Sequence, residues 1–413
     1  MLIRKMIILG LLGLYLYAVA FGIFMTDIIR LPAPLIFGLP LLVFMNGKLR
    51  AFGYFKEMAL ITVSLFLYYV VGMDDFKTFF AAFITIVVCA LYFDYFVALS
   101  KRRFNISVFV FFALLLFSMI ILVGDHFAPS IIDPIRSILA GEQVQQSPSG
   151  IAVTQFNFGY QVAAFATFVF VFVCAFKRNF LIKSIALGVC LTCLYLGMNR
   201  SAFVCFIAVV FLFLLSYYRA KALFVIAASV LIGFAVYFYV LKDDPDNKNN
   251  ILAKNEAKSD DQYNRTDLVT ENLKICADYP FGLIFYGKSW EDVTYRHPLF
   301  AFGLTSHNSY LMFLTFLGPF FGFGLLIAMY YRFMRMFRLL IKHSRLKDNA
   351  LIVSLYFSFL AVCLNALSHN GWLLSVDGPT LFLYFSILQC EKIYPIQTEE
   401  VKDEEEPALE MAY

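Results

Sequence analysis

FNISVFVFFALLLFSMIILV, residues 104–123, is twenty positions long and holds no charged side chain. As a helix it would be about 30 Å long, the thickness of the hydrocarbon core of a bilayer. Lys101, Arg102 and Arg103 stand directly before it, and Asp125 and His126 follow it. Charge therefore gathers at both ends and is absent between them, as a membrane span requires.

Working outward, the same pattern recurs. Of 413 residues 61% are apolar, 15% are charged and 49 are phenylalanine; mean hydropathy is +0.76. A soluble domain carries about a quarter charged residues. The runs are continuous rather than alternating, which excludes a membrane β-barrel. The expected fold class is all-α: a polytopic helical membrane protein whose single membrane domain covers 1–398. Twelve spans are expected, near 5–28, 31–46, 57–72, 77–98, 104–123, 151–176, 184–198, 201–218, 222–240, 307–331, 350–371 and 374–391. The first carries Arg4 and Lys5 but no clear small-residue cleavage site, so it reads as a span rather than a signal peptide. The second, LPAPLIFGLPLLVFM, holds three prolines and reads as kinked.

Three polar segments interrupt this pattern. In 125–150, Asp133 and Pro134 read as N-cap and first residue of a short helix, with Ile135, Ile138 and Leu139 lying on the membrane surface. The segment 241–304 is the only large polar block between spans. The tail, 399–413, is acidic and reads as disordered. If the N-terminus is cytoplasmic and the spans alternate, the basic segments near 48–56, 101–103, 177–183, 219–221 and 332–347 fall inside with it. Together they hold 19 Lys and Arg; the short segments outside hold 4, namely Arg30, Lys77, Arg136 and Arg200. Basic residues mark the cytoplasmic side, so both termini are expected inside and 241–304 outside. The net charge of +4 gives no reason to expect nucleic acid as a partner.

Eight cysteines are present. Only Cys276 lies in the long polar stretch, which excludes a disulfide within it. Cys190 and Cys193 form a CxxC inside a span, with no second pair, and read as helix-packing residues. No GxxxxGK[ST] or GxGxxG occurs. Chemistry at the outer face must then draw on an ion gradient or on a substrate that is already activated.

Three side chains at the outer boundary could do such chemistry. Arg200 lies between two spans with almost no loop. It is either an interfacial arginine reaching the headgroups or a bidentate ligand for a lipid-borne phosphate. Arg265 opens a helix running to about Ala277, with Leu268, Leu273, Ile275 and Cys276 on a partial apolar face. It either pairs with Asp261 or Asp267 or reaches for an anion. His307 opens span ten in TSHNSYL, with Thr305 or Ser306 as cap. It is either a hydrogen-bonding residue at a helix start or a base, because a helix N-terminus disfavours imidazolium and a neutral imidazole accepts a hydroxyl proton. Outer-face His126, His297 and His369 lack metal-site spacing, so no metal or cofactor is expected. Tyr263, Tyr286, Trp290, Tyr295 and Tyr310 offer surface on which a sugar could stack.

The chain resembles the O-antigen ligase and polysaccharide polymerase superfamily of bacterial membrane glycosyltransferases. The resemblance rests on NRSAFVCFIAVVFLFLL (199–215), RTDLVTENLKICADYPFGLIFYG (265–287) and HNSYLMFLTFLGPFFG (307–322). It implies a multi-pass inner-membrane enzyme that transfers a glycan from undecaprenyl diphosphate at the periplasmic face. The acceptor is lipid A-core for a ligase or a second lipid-linked glycan for a polymerase, and membrane lipids surround both. It also implies a metal-independent, inverting reaction without a cofactor. Arg200 and Arg265 match the family's phosphate-binding arginines and His307 its proposed base; Asn199 stands where relatives often have serine. Asn308, Tyr310, Arg136, Arg296 and His369 are further candidates for substrate contact. The reading of another class is a glycolipid transporter or flippase, against which stands the scarcity of acidic residues within spans, Asp94 excepted.

Overall fold

The computed structural model describes residues 2–23, 32–45, 51–145, 148–176, 179–223, 227, 265–295, 300 and 304–398. Expected span nine but for 222, 223 and 227, residues 241–264 with Tyr263, Arg296 and His297, and the acidic tail lie outside them. Among the described residues every regular element is helical. In chain order these are α1 (Leu2–Phe21), α2 (Ala33–Leu42), α3 (Phe55–Leu65, continued as a π-helix over Phe66–Gly72), α4 (Phe76–Leu91, continued likewise over Tyr92–Val97) and α5 (Lys101–Phe127). Then come α6 (Pro129–Ala140), α7 (Gln155–Ala175), α8 (Phe180–Leu196), α9 (Arg200–Tyr218), α10 (Arg265–Asp278) and α11 (Trp290–Thr294). The last four are α12 (Ser309–Leu317), α13 (Pro319–His343), α14 (Ala350–Asn365) and α15 (Gly378–Ile393).

Among the described residues seven helices are long and apolar enough to cross a membrane; they correspond to expected spans one, three, four, five, six, eight and eleven. Their packing is graded. In α7 83% of the spanning window is buried, against 28% in α1, so α7 forms the centre and α1 the rim. Helices α14 and α15 share that centre, and Ser358 Oγ of α14 donates to the Ala164 carbonyl of α7 at 2.8 Å. Phe109, Val204, Phe180 and Phe320 are exposed, which costs nothing where the surrounding solvent is lipid.

Two expected spans need correction. Helix α2 has ten residues, about 15 Å of rise, half of a hydrocarbon core. Expected span ten is broken. Helix α12 stops at Leu317, Gly318 takes a positive φ of 78°, and α13 starts at Pro319. Helix α13 also runs past residue 331 to His343. Arg332, expected in a cytoplasmic segment beyond the span, instead bridges Glu57 of α3 at 2.7 Å and Glu391 of α15 at 2.6 Å.

The break has a steric cause. Gly282, at φ 94°, packs its backbone against Gly318: a Cβ on Gly282 would lie 2.2 Å from Gly318 N, and one on Gly318 would lie 2.3 Å from the Phe281 carbonyl carbon. Two main chains can approach this closely only if neither carries a side chain. The Pro280–Gly282 turn is thereby seated in the gap between α12 and α13. Gly282→Ala or Gly318→Ala should each lower stability by about 1–3 kcal/mol or more, read as a lower melting temperature in detergent. Gly188→Ala, in α8 with open space around it, should be neutral or raise stability by up to about 1 kcal/mol.

Candidate active site

The candidate site is built where helices begin. Asn199 caps α9: its Oδ1 accepts from Ala202 N at 3.0 Å, and its Nδ2 donates to the Gln155 carbonyl at 2.9 Å. A Cβ at Gly159 would lie 2.2 Å from that Nδ2, so the glycine in α7 is what admits the asparagine. Arg200 is the first residue of α9 and is exposed. Ser201 turns inward. Its Oγ meets His369 Nε2 at 2.8 Å, Asn199 Oδ1 at 3.0 Å and the side chain of the buried Asn365. The hydroxyl has one proton to give. It goes to one of these acceptors, and the Nε2 of His369 takes the complementary role.

His369 is buried, 4% exposed, and joins three elements. Its carbonyl accepts from Ser309 N at 3.2 Å and Ser309 Oγ at 2.7 Å, at the start of α12. Its ring lies 5.2 Å from that of Phe156 in α7. Phe156 is in turn near-parallel to His307, with centroids 6.3 Å apart and planes at 16°. Asn370 Nδ2 donates to Thr305 Oγ1 at 2.9 Å, tying the loop after α14 to the loop before α12. The start of α9, His307 and His369 are thus gathered around Phe156.

His307 is not in the first turn of a helix. Asn308 is the cap, accepting from Leu311 N at 3.0 Å, and His307 precedes it in the left-handed region at φ 51°. The same local pattern begins three other helices: Asp74 before Asp75, Met198 before Asn199 and Val376 before Asp377 each combine a positive φ with an Asx cap. A non-glycine residue in this conformation is strained by about 1–3 kcal/mol and is held only by its surroundings. The half-buried imidazole is in this sense placed by its neighbours.

Arg265 begins α10. That helix is keyed to the histidine segment by Asn272, which is fully buried. Its Nδ2 donates to Ser306 Oγ at 2.8 Å and its Oδ1 accepts from Thr315 Oγ1 at 2.6 Å. The buried face is Leu268, Asn272 and Ile275, while Leu273, expected on it, is 53% exposed. Arg265 lies seven residues before Asn272, about 10 Å along the axis. The signal for Asn272 was its period with Leu268 and Ile275, hidden by its polarity.

The remaining candidates separate. Tyr310 packs edge-on to the buried Trp372, centroids 5.2 Å apart. Trp290 is buried and donates to the Leu304 carbonyl at 3.1 Å, whereas Tyr286 and Tyr295 are exposed. Arg136, expected as a contact on the outer loop, is fully buried. It donates to Asp125 Oδ2 at 2.6 Å, Asp133 Oδ1 at 2.7 Å, the Gly150 carbonyl at 2.8 Å and Ser149 Oγ. It is a brace that fixes the loop leading into α7. Among the described residues no group of three or more His, Cys, Asp or Glu is arranged to hold a metal. Cys190 and Cys193 are buried in α8, and Cys190 Sγ donates to the Ala166 carbonyl at 3.3 Å.

Residues 185–327 match the family model described as O-antigen ligase. The matched region runs from α8 into the opening of α13 and takes in Arg200, Arg265, Asn272, Gly282, His307 and Gly318. No curated protein matches the chain. The match supports glycosyl transfer of the O-antigen ligase or polymerase type, in a multi-pass bacterial membrane protein. The partners of its segments lie outside the matched region: Phe156 in α7, Asn365 at the end of α14 and His369 in the loop after it complete the cluster.

The Arg136 brace gives a quantitative test. Arg136→Gln leaves the Asp125 carboxylate, 0% exposed, without its cation and should cost about 3–5 kcal/mol. The double variant with Asp125→Asn should recover part of that loss, because no charge is then stranded. Thermal melts of the single and double variants measure both terms.

Proposed function

We propose that this protein transfers a glycan from a polyprenyl diphosphate, in bacteria undecaprenyl diphosphate, to a hydroxyl of lipid A-core at the periplasmic face. The observation that carries the reading is the gathering of the α9 start, which bears Arg200, with His307 around Phe156 and His369, within a region of O-antigen ligase type. In this reading both termini are cytoplasmic, and the polar block 241–304 and the starts of α9, α10 and α12 face outward.

The chemistry follows from the donor. A glycosyl diphosphate is already activated, so no nucleotide site is needed. The bond from the anomeric carbon to the diphosphate oxygen breaks, and the acceptor oxygen bonds to the same carbon from the opposite face, with inversion. The acceptor's proton passes to the His307 imidazole, which later releases it to water. Arg200 and Arg265 balance the charge that develops on the departing diphosphate and take the part that a divalent cation plays elsewhere. Arg136 serves the scaffold, and the exposed rings of Tyr286 and Tyr295 offer stacking surface to a sugar. The aromatic hollow of about 480 Å³ between Phe281, Phe285, Phe320 and Phe321 offers the lipid carrier an apolar seat beside the Gly282–Gly318 junction.

His307→Asn tests the base while sparing the backbone, because asparagine is tolerated in the left-handed region. It should fold and accumulate normally, yet lose transfer from a polyprenyl diphosphate in membranes by about 10²–10⁴-fold. Wild-type transfer at normal protein level would remove His307 from the mechanism. In a deletion strain, loss of all glycan from lipid A supports the ligase reading. Retention of a single repeat with loss of long chains would instead assign the protein as a polymerase.

A further inference from the structure

Helix α6 presents a face that nothing in the described protein covers. Ile131, Ile135 and Ile138, at positions i, i+4 and i+7, are 65%, 43% and 80% exposed, and Phe127, just before the helix, is 78% exposed. The opposite face is fixed. Arg136 is locked to Asp125, Ser149 and Gly150, and Ala140 is buried. The helix starts five residues earlier than Asp133 would place it, because Ala128 and Pro129 begin it and Pro134 lies within it. The isoleucine stripe therefore has a set direction.

Its height is set as well. Helix α6 follows α5 after the single residue Ala128 and folds back on it. A Cβ on Gly124 would lie 3.3 Å from Ile132 Cδ1, and Gly124 is the first residue past the apolar run 104–123. The other end is held by Tyr17, near the end of α1, whose hydroxyl donates to the Leu139 carbonyl at 2.6 Å. Helix α6 thus lies against the end of α5, at the level where the apolar run of α5 stops, and is tied to α1 through Tyr17.

We propose that α6 is a membrane-surface helix, with Ile131, Ile135 and Ile138 seated among the glycerol and upper acyl carbons of the adjoining leaflet. The occupant of this face is lipid because α5, from which α6 folds back, itself exposes Leu116, Phe117, Ile120 and Phe127, and α6 lies at the boundary that α5 defines. An amphipathic helix whose apolar face is pinned outward at that depth is the geometry of interfacial binding. The seat has a consequence inside the protein. The Arg136 brace joins α6 to the loop 149–153, and that loop continues through the Thr154 cap to Phe156. Depth in the leaflet and the placement of Phe156 are thereby mechanically connected.

The test uses the full chain in vesicles of phosphatidylethanolamine and phosphatidylglycerol in equal parts. Ile138→Trp is compared with Glu142→Trp, an exposed position past the helix; the signal of the two native tryptophans is subtracted with the unmutated chain. Lipid carrying a nitroxide on an upper acyl carbon should quench Ile138→Trp at least about twofold more than Glu142→Trp, as interfacial burial requires. Aqueous iodide should show the reverse order. Equal lipid quenching at the two positions overturns the proposal. So does an Ile138→Trp shielded from both quenchers, which would mean that a protein partner or second copy covers the face. The unmutated chain gives an independent readout: a lipid-borne diazirine near the glycerol should label peptides from 129–140, and labelling of 104–123 without 129–140 contradicts the seat.

Discussion

His369 is the contact on which the candidate site depends. Through its ring nitrogen it receives the start of α9, through its carbonyl the start of α12, and through its ring face the first turn of α7. Three helices that are remote in sequence are held by one buried residue. Each contact is ordinary in strength, about 1 kcal/mol net. Leaving any of these polar groups unpaired in an apolar interior would cost more than the contact gains. That asymmetry makes the cluster cooperative and keeps His307 in a backbone conformation it would not adopt alone.

The bilayer imposes the second constraint. Non-helical backbone at membrane depth survives only where protein covers it. The chain breaks helix between α12 and α13 and covers the break with the Pro280–Gly282 turn, the two glycines giving way to each other. Asn272 then secures α10 to the same place. The polar block and the membrane bundle are joined by steric fit and buried hydrogen bonds, and the segment that begins with Arg265 is anchored beside the one that bears His307.

This explains what the sequence could and could not tell. Spans such as 104–123 were legible because lipid demands an uninterrupted apolar run, and such a run is visible residue by residue. The break at Gly318 was not, because the run continues through it and its cause lies 36 residues away at Gly282. The cap of α12 is ambiguous in the sequence because serine and asparagine both cap well and only the fold chooses Asn308. Arg136 looks available for substrate contact in the sequence because its partner Asp125 falls at the end of a span, where a carboxylate looks solvated. The three motifs of the O-antigen ligase resemblance were visible, but Phe156 and the full role of His369 were not, since ring contacts across the bundle leave no periodic trace.

In the proposed reaction Arg200, Arg265 and His307 serve one diphosphate-linked sugar at a single membrane face. A cryo-electron microscopy structure of the full chain in nanodiscs with a non-hydrolysable polyprenyl diphosphate glycan tests it most directly. The diphosphate is expected within about 3 Å of both guanidinium groups, with the anomeric carbon facing His307 beside Phe156. A diphosphate bound elsewhere, or Arg265 and His307 on opposite sides of the membrane, would contradict it.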